Sequence, residues 1–178
     1  MKYCSKCGSG DLEFKIPADD SLKRFCCPEC DSIFYTNPNL IVGAVCMWED
    51  KILLAKRNIQ PRYGLWTLPA GFMENAETMR EGASREVFEE TLASIDLLQP
   101  YTAFSLTHIS QVHFFYLANL KSLEFGPTAE SQEVELFAEK DIPWKEIAFP
   151  TVAKTLEYFF QDRKSGNFEF REEDIKLF

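Results

Sequence analysis

Between Gly71 and Leu92 the chain reads GFMENAETMREGASREVFEETL, and no other stretch restricts the fold so tightly. Thr78 and Glu81 stand three apart, the spacing of a capping box, which predicts a helix starting there. At about 3.6 residues per turn, Met79, Ala83 and Val87 share one side of that helix. Glu90 falls among them, Glu86 lies at their edge, and Glu89 is one step further round. Phe88, almost opposite, predicts cover on a second side. A lone carboxylate on an apolar face costs on the order of several kcal/mol to desolvate. Solvated surface glutamates would avoid that face, whereas a bound cation explains them. Oxygen-only ligands point to a hard ion, Mg²⁺ or Mn²⁺, held by Glu86, Glu89 and Glu90.

The same residues match a family pattern. Gly71, five residues, Glu77, seven residues and then Arg85-Glu86-Val87-Phe88-Glu89-Glu90 is the spacing of the Nudix box. The chain resembles the Nudix hydrolases, which cleave nucleoside diphosphates linked to another moiety. The resemblance implies an α/β/α sandwich around a mixed sheet, and the interleaved strand and helix patterns fit that order. It also implies that the Gly71 carbonyl joins the metal ligands and that Arg85 and Glu77 pair to hold the loop against the helix. Glu89 or Glu130 is the candidate general base. At its end the box departs from the pattern, with Leu92 for the usual glycine and Ala93 for a larger aliphatic. A glycine there would end the helix in a left-handed conformation, so the departure bears on helix exit and leaves the metal face intact.

Upstream, Cys4-x2-Cys7, nineteen residues and Cys27-x2-Cys30 have the spacing of a four-cysteine zinc site. Phe14, Ile16, Phe25 and Phe34 are too few to hold that segment folded alone, and zinc would supply the missing stability. Cys26 competes with Cys27 as a ligand. Disulfides, a redox dithiol and isolated core thiols are the other readings of the cysteines, and Cys46 reads as a buried small hydrophobe. Tyr35-Thr36-Asn37-Pro38-Asn39 is a turn-rich joint, which divides the chain into a ribbon at 1–36 and a larger domain at 37–178.

In that larger domain Leu40–Trp48 and Lys51–Arg57 read as a hairpin across Glu49-Asp50. Arg57 is placed to meet phosphate or to stay a surface arginine. Tyr63 and Trp66 either stack on a base or belong to the core. Ile95–Leu98 and Tyr101–Leu106 read as two short strands and Val112–Leu120 as a longer one. Ser105–His113 (SLTHISQVH) reads as a polar loop in which His108 or Gln111 touches base or sugar. Val134–Ala138 reads as a strand, preceded by Glu130 and Glu133, either of which could supplement the box carboxylates. Thr151–Asp162 reads as an amphipathic helix buried through Val152, Leu156, Phe159 and Phe160, with Phe168–Phe170 as a closing strand.

Charge narrows the partners. With 19 basic and 28 acidic side chains the net charge is -9, unsuited to general binding of nucleic acid or anionic membrane. Divalent cations would provide the local positive charge for a phosphate substrate. No basic-then-apolar leader is recognised and Leu40–Trp48 is too short to span a bilayer, so a cytoplasmic protein is expected.

The ribbon, the joint, KRNIQP (Lys56–Pro61), GLWTLPAGF (Gly64–Phe72) and ESQEVELFA (Glu130–Ala138) together resemble zinc-ribbon Nudix proteins. Among these the likeness is to plant chloroplast FAD pyrophosphatases and, more distantly, to NADH pyrophosphatases. SLTHISQVH lacks the SQPWPFP-type signature of the latter. The resemblance thus implies FAD or ADP-ribose as substrate, AMP as a product, and homodimerisation. The alternatives are NADH or NAD-capped RNA as substrate, with the ribbon gripping RNA, and a catalytically dead ligand sensor.

Overall fold

The structure, a computed structural model, describes residues 1–175. The last three residues of the expected larger domain, 176–178, lie outside the described residues. The chain forms two compact units, divided after Asn37.

In the first unit, β1 (Glu13–Lys15), β2 (Arg24–Cys27) and β3 (Ser32–Phe34) make an antiparallel sheet in that order. Phe14 and Phe25 pack at 4.9 Å, yet Phe14 and Ile16 are mostly exposed. The buried residues up to Asn37 are Cys4, Pro17, Cys26 and Cys27. So little apolar burial cannot offset the entropy of ordering the segment, which makes a cross-link through the cysteines necessary.

The second unit opens with β4 (Asn39–Trp48) and β5 (Lys51–Arg57), a hairpin turned by Glu49 at φ 52°. β6 (Trp66–Thr67) and β7 (Ala70–Phe72) lead into α1 (Met79–Thr91). There follow β8 (Ile95–Leu106), β9 (Gln111–Leu120), β10 (Ser131–Ala138), α2 (Pro150–Ser165) and β11 (Arg171–Asp174). The strand order is β10-β5-β4-β9-β8-β11, with β6 beside β5 and β7 beside β4. β4 runs parallel to β9 and β8 parallel to β11, while the other pairs are antiparallel, so the sheet is mixed.

Alternation along the strands builds two cores. Val42, Ala44 and Cys46 of β4 and Leu53 and Ala55 of β5 pack with Ala83 and Val87 of α1. Val45, Ile52 and Leu54, pointing the other way, pack with Val152, Leu156, Phe159 and Phe160 of α2. The expected α/β/α sandwich is the observed one. No helix among the described residues is long and apolar enough to cross a membrane.

Four local expectations are corrected. Ile95–Leu106 is one strand, because register shifts around Pro100 absorb the break that its proline and polar neighbours imply. Most of SLTHISQVH is strand rather than loop: the chain reverses in a short 3-10 turn at Thr107–Ile109, and His113 lies within β9. The closing strand is Arg171–Asp174, and Phe168 instead packs on Phe159 and Tyr101 at 5.6 and 6.2 Å. Phe88 is 52% exposed, so among the described residues nothing buries that second side of α1.

β11 is anchored by Arg171, whose two Nη nitrogens each bond a carboxylate oxygen of Asp162 at 2.6 Å. Tyr101 donates its hydroxyl to the same carboxylate at 2.9 Å, and Glu173 meets Lys154 and Tyr158.

Candidate active site

α1 begins as its sequence requires. Thr78 Oγ1 accepts from the Glu81 N–H at 3.2 Å, and Glu81 returns a carboxylate oxygen to the Thr78 N–H at 2.8 Å. That start sets the rotation of the helix, so Gly82, Ala83, Glu86, Val87, Glu90 and Thr91 are its buried residues. It ends at Leu92, held left-handed at φ 61° with its N–H on the Phe88 carbonyl. The missing glycine therefore leaves helix exit unchanged in geometry, at a conformational cost to Leu92.

Opposite the two carboxylates runs β7. Register with β4 places Gly71 across from Val42 and brings its backbone against Glu86. A Cβ on Gly71 would overlap the Glu86 carboxylate, so only glycine permits this approach. The neighbouring Ala70 N–H donates to Glu90 Oε2 at 3.0 Å. Glu86 is 9% exposed and Glu90 4%. Burial pushes the Glu90 carboxyl up to about 8, with Glu86 and Glu130 adding repulsion against the pull of the Ala70 N–H and Arg57. Burial raises Glu86 as well, against the pull of Arg85. Two buried carboxyls that resist ionisation beside each other, backed by a close-packed glycine strand, fit a divalent cation: its charge would relieve both. Glu89, by contrast, is exposed.

Arg85 is the hub of the adjoining network. Its Nε and Nη2 bind both oxygens of Glu77 at 3.0 and 2.7 Å, and Nη2 also donates to the Phe72 carbonyl at 3.1 Å. Nη1 bonds Glu86 at 2.7 Å and Glu89 at 2.8 Å. Glu77 further accepts the Glu74 N–H, and together with Arg85 this holds its carboxyl down at about 2. The loop from Phe72 to Glu77 is thus pinned to α1 by one guanidinium.

Glu86, Glu89, Glu90, Gly71 and Arg85 line a cleft of ≈ 450 Å³, joined by Arg57, Gln111 and Glu130. Arg57 donates from Nε to the Pro61 carbonyl at 2.9 Å and lies 5.3 Å over the Phe149 ring. Five residues expected in or beside the site do not line the cleft. Trp66 is buried edge-on to Phe137 at 4.8 Å, so its ring is core and unavailable for stacking. Tyr63 is exposed, and neither it nor Glu77 lines the cleft. Between the two acidic candidates ahead of β10, Glu130 lines the cleft while Glu133 pairs with Lys56 at 2.8 Å. His108 is exposed and outside the cleft.

Sequence reasoning missed His113, Phe149 and Thr151. His113 lines the cleft and bonds Gln111 and Thr151, and burial pushes its imidazole down to about 4. The signal was present in period-2 alternation: Gln111, His113, Phe115 and Leu117 share one face of β9.

In the first unit, the sulfurs of Cys4, Cys7, Cys27 and Cys30 all lie within 4.8 Å of one another. Cys4–Cys30 and Cys7–Cys27 are each 3.6 Å apart, too long for a disulfide and close to the ~3.8 Å between thiolates on one tetrahedral zinc. Cys26 turns away, its thiol 3.7 Å from the Arg24 carbonyl, which settles the choice of knuckle. The donor set fits a structural zinc ion.

The family model for the NUDIX domain matches residues 38–170, and that for the Nudix N-terminal zinc ribbon matches 2–36. The chain is 46% identical to a crystal structure of a NUDIX hydrolase from Nitrosomonas europaea, with a TM-score of 0.96 over 99% of this chain and 100% of that one. It is 29% identical to the NAD-capped RNA hydrolase NudC of Photobacterium profundum, over 78% of this chain and 50% of that protein. It is 42% identical to the ADP-ribose pyrophosphatase of Methanocaldococcus jannaschii, over 32% of this chain and 34% of that one. The chain spans about half the length of the NudC relatives it matches. With the ribbon, the glutamate helix and the cleft all in place, the chain belongs to the Nudix hydrolases, in the branch that carries the N-terminal zinc ribbon.

Proposed function

We propose that this protein hydrolyses the pyrophosphate bond of a dinucleotide-like substrate, a nucleoside diphosphate joined to a second moiety, with Mg²⁺ or Mn²⁺. The observation that carries the reading is the Glu86–Glu90 pair, buried against Gly71 in a cleft that also holds Arg57. A divalent cation, when bound, supplies positive charge against the diphosphate oxygens and acidifies water. Glu86 and Glu90, with Glu89 and the Gly71 carbonyl, would hold it. Arg57 presents its guanidinium to phosphate oxygens, and Gln111 contacts the nucleotide. Glu130, exposed at the cleft, takes the proton of the attacking water, with Glu89 as the other candidate. Arg85 and Glu77 position the loop. The water oxygen bonds to one phosphorus, the anhydride P–O bond breaks, and the leaving phosphate takes the electron pair.

On substrate, the FAD expectation yields first place. The relatives that match over most of this chain are named for NAD-capped RNA, so NADH or an NAD-type cap is the leading reading. The relative named for ADP-ribose keeps that compound second. The net charge of -9 favours the free dinucleotide over long RNA. Four thiols set to bind zinc need a reducing compartment, which supports a cytoplasmic location. The test is hydrolysis of NADH, NAD-capped RNA, ADP-ribose and FAD with Mg²⁺ or Mn²⁺, products resolved by chromatography. AMP with the matching second half is the expected result. No turnover, with one compound still raising the melting temperature, would replace the enzyme by a sensor.

A further inference from the structure

One wall of the cleft is a hydrogen-bonded series rather than a set of separate side chains. On the α2-facing side of β9, Leu117 and Phe115 are core, and His113 and Gln111 continue that row outward into the cleft. His113 Nδ1 lies 3.0 Å from Thr151 Oγ1, and Nε2 lies 3.1 Å from Gln111 Oε1. Thr151 is fully buried at the start of α2, and its carbonyl accepts from Thr155.

The direction of the protons follows from satisfying every buried group. If Nδ1 carried the imidazole proton, Thr151 Oγ1 would accept it. The Thr151 hydroxyl hydrogen would then be buried with no acceptor among the described residues, at a cost of about 1–3 kcal/mol. In the opposite arrangement the hydroxyl donates to Nδ1, the ring donates from Nε2 to Gln111 Oε1, and nothing is stranded. Burial keeps the ring neutral at neutral pH, which that arrangement needs. Gln111 Oε1 is then occupied. Its amide nitrogen, with two N–H donors, is the end left for a ligand.

We propose that the Thr151–His113–Gln111 series locks the Gln111 amide donor-outward, so that this wall selects a substrate moiety presenting a hydrogen-bond acceptor, a carbonyl oxygen or ring nitrogen. His113 is thereby a positioning residue acting through Gln111. Ile41, Phe149 and Val152 add apolar lining to the same cleft, suited to a flat heterocycle whose edge carries the acceptor. The proposal rests on the cleft being the nucleotide site, as argued above.

The series is tested without turnover by long-range ¹H–¹⁵N NMR on histidine-labelled, full-length protein at about pH 7. The chain has only 2 histidines, and a His108→Asn variant assigns them. A neutral ring protonated at Nε2 is expected for His113, and a proton on Nδ1 or a charged ring overturns the proposal. The second measurement is steady-state hydrolysis of NADH and ADP-ribose. His113→Leu, which frees the Gln111 amide to flip, is expected to raise KM about tenfold with kcat within about twofold. His113→Gln, which restores a donor near the Nε2 position, is expected to recover most of that loss. An unchanged KM in His113→Leu, or equal damage in both variants, overturns the positioning role. Failure of the wild-type protein to hydrolyse either compound would instead bring down the function reading, whatever the tautomer.

Discussion

Glu90→Gln separates the charge of the buried ligand from its shape. Burial lifts the Glu90 carboxyl from 4.5 to about 8, so the metal-free fold keeps a proton that the unfolded chain has released. As far as this group is concerned, stability is greatest below about pH 4.5, falls as pH rises toward 8, and is level beyond. Each unit is worth about 1.4 kcal/mol, so by about pH 7.5 the loss reaches roughly 4 kcal/mol. In a chain of this length that corresponds to roughly 8–16 °C of melting temperature. Glutamine carries no charge, its oxygen can still accept the Ala70 N–H, and its amide can face Glu86. Melting curves of both proteins, in EDTA and then in Mn²⁺, at about pH 5 and pH 8, read the effect. In EDTA at the higher pH the variant is expected to melt above wild type, with the gap closing toward the lower pH. Mn²⁺ is expected to raise wild type alone, and kcat of the variant to fall at least about a hundredfold. Identical melting at both pH values in EDTA, or an equal Mn²⁺ gain in both proteins, would refute the reasoning.

Gly71→Ala pushes a methyl group into the Glu86 carboxylate and is expected to lower kcat about tenfold or more while far-UV circular dichroism stays unchanged. Near-normal turnover would mean that β7 can retreat without disturbing the site. Leu92→Gly relieves a left-handed residue whose side chain is 48% exposed. It is expected to stabilise by about 0.5–1 kcal/mol, read as a higher denaturant midpoint, and a lower midpoint would show that the leucine contacts matter more. Cys27→Ser is expected to abolish stoichiometric zinc by mass spectrometry or colorimetry and Cys26→Ser to retain it. The reverse result would exchange the two cysteines as ligands.

Where local chemistry dictates geometry, the sequence was enough. Thr78 and Glu81 announce the start of α1 because each satisfies the other's backbone, and that start alone fixes the rotation that buries Glu86 and Glu90. The two CxxC knuckles work the same way. Tertiary context decided the rest. Trp66 looks equally fit for a base or a core, and only Phe137, arriving from β10, settles it. Phe88 looks buried by type, but no element among the described residues comes to cover that side of α1. Ser105–His113 looks like loop because its residues are polar, and here polarity marks a strand whose end borders a cleft. The role of Thr151 depends on α2 docking beside β9, a pairing no local pattern encodes.

The short strand β11 has a bearing on the protein as a population of molecules. β8 is twelve residues long, and uncovered it would offer a row of unpaired amides and carbonyls to any extended segment nearby. What lies over its Thr102–Ser105 stretch reads Arg-Glu-Glu-Asp, fastened by the Asp162 latch. At the far rim β10 shows solvent Glu133 and Glu135. A copy approaching either rim to extend the sheet meets carboxylates, which repel their like on another molecule and resist burial. At the β11 rim the Arg171–Asp162 clasp shares the hold on β11 with Glu173, which meets Lys154 and Tyr158, so cutting the clasp would loosen one of two fastenings over β8 without touching the cleft.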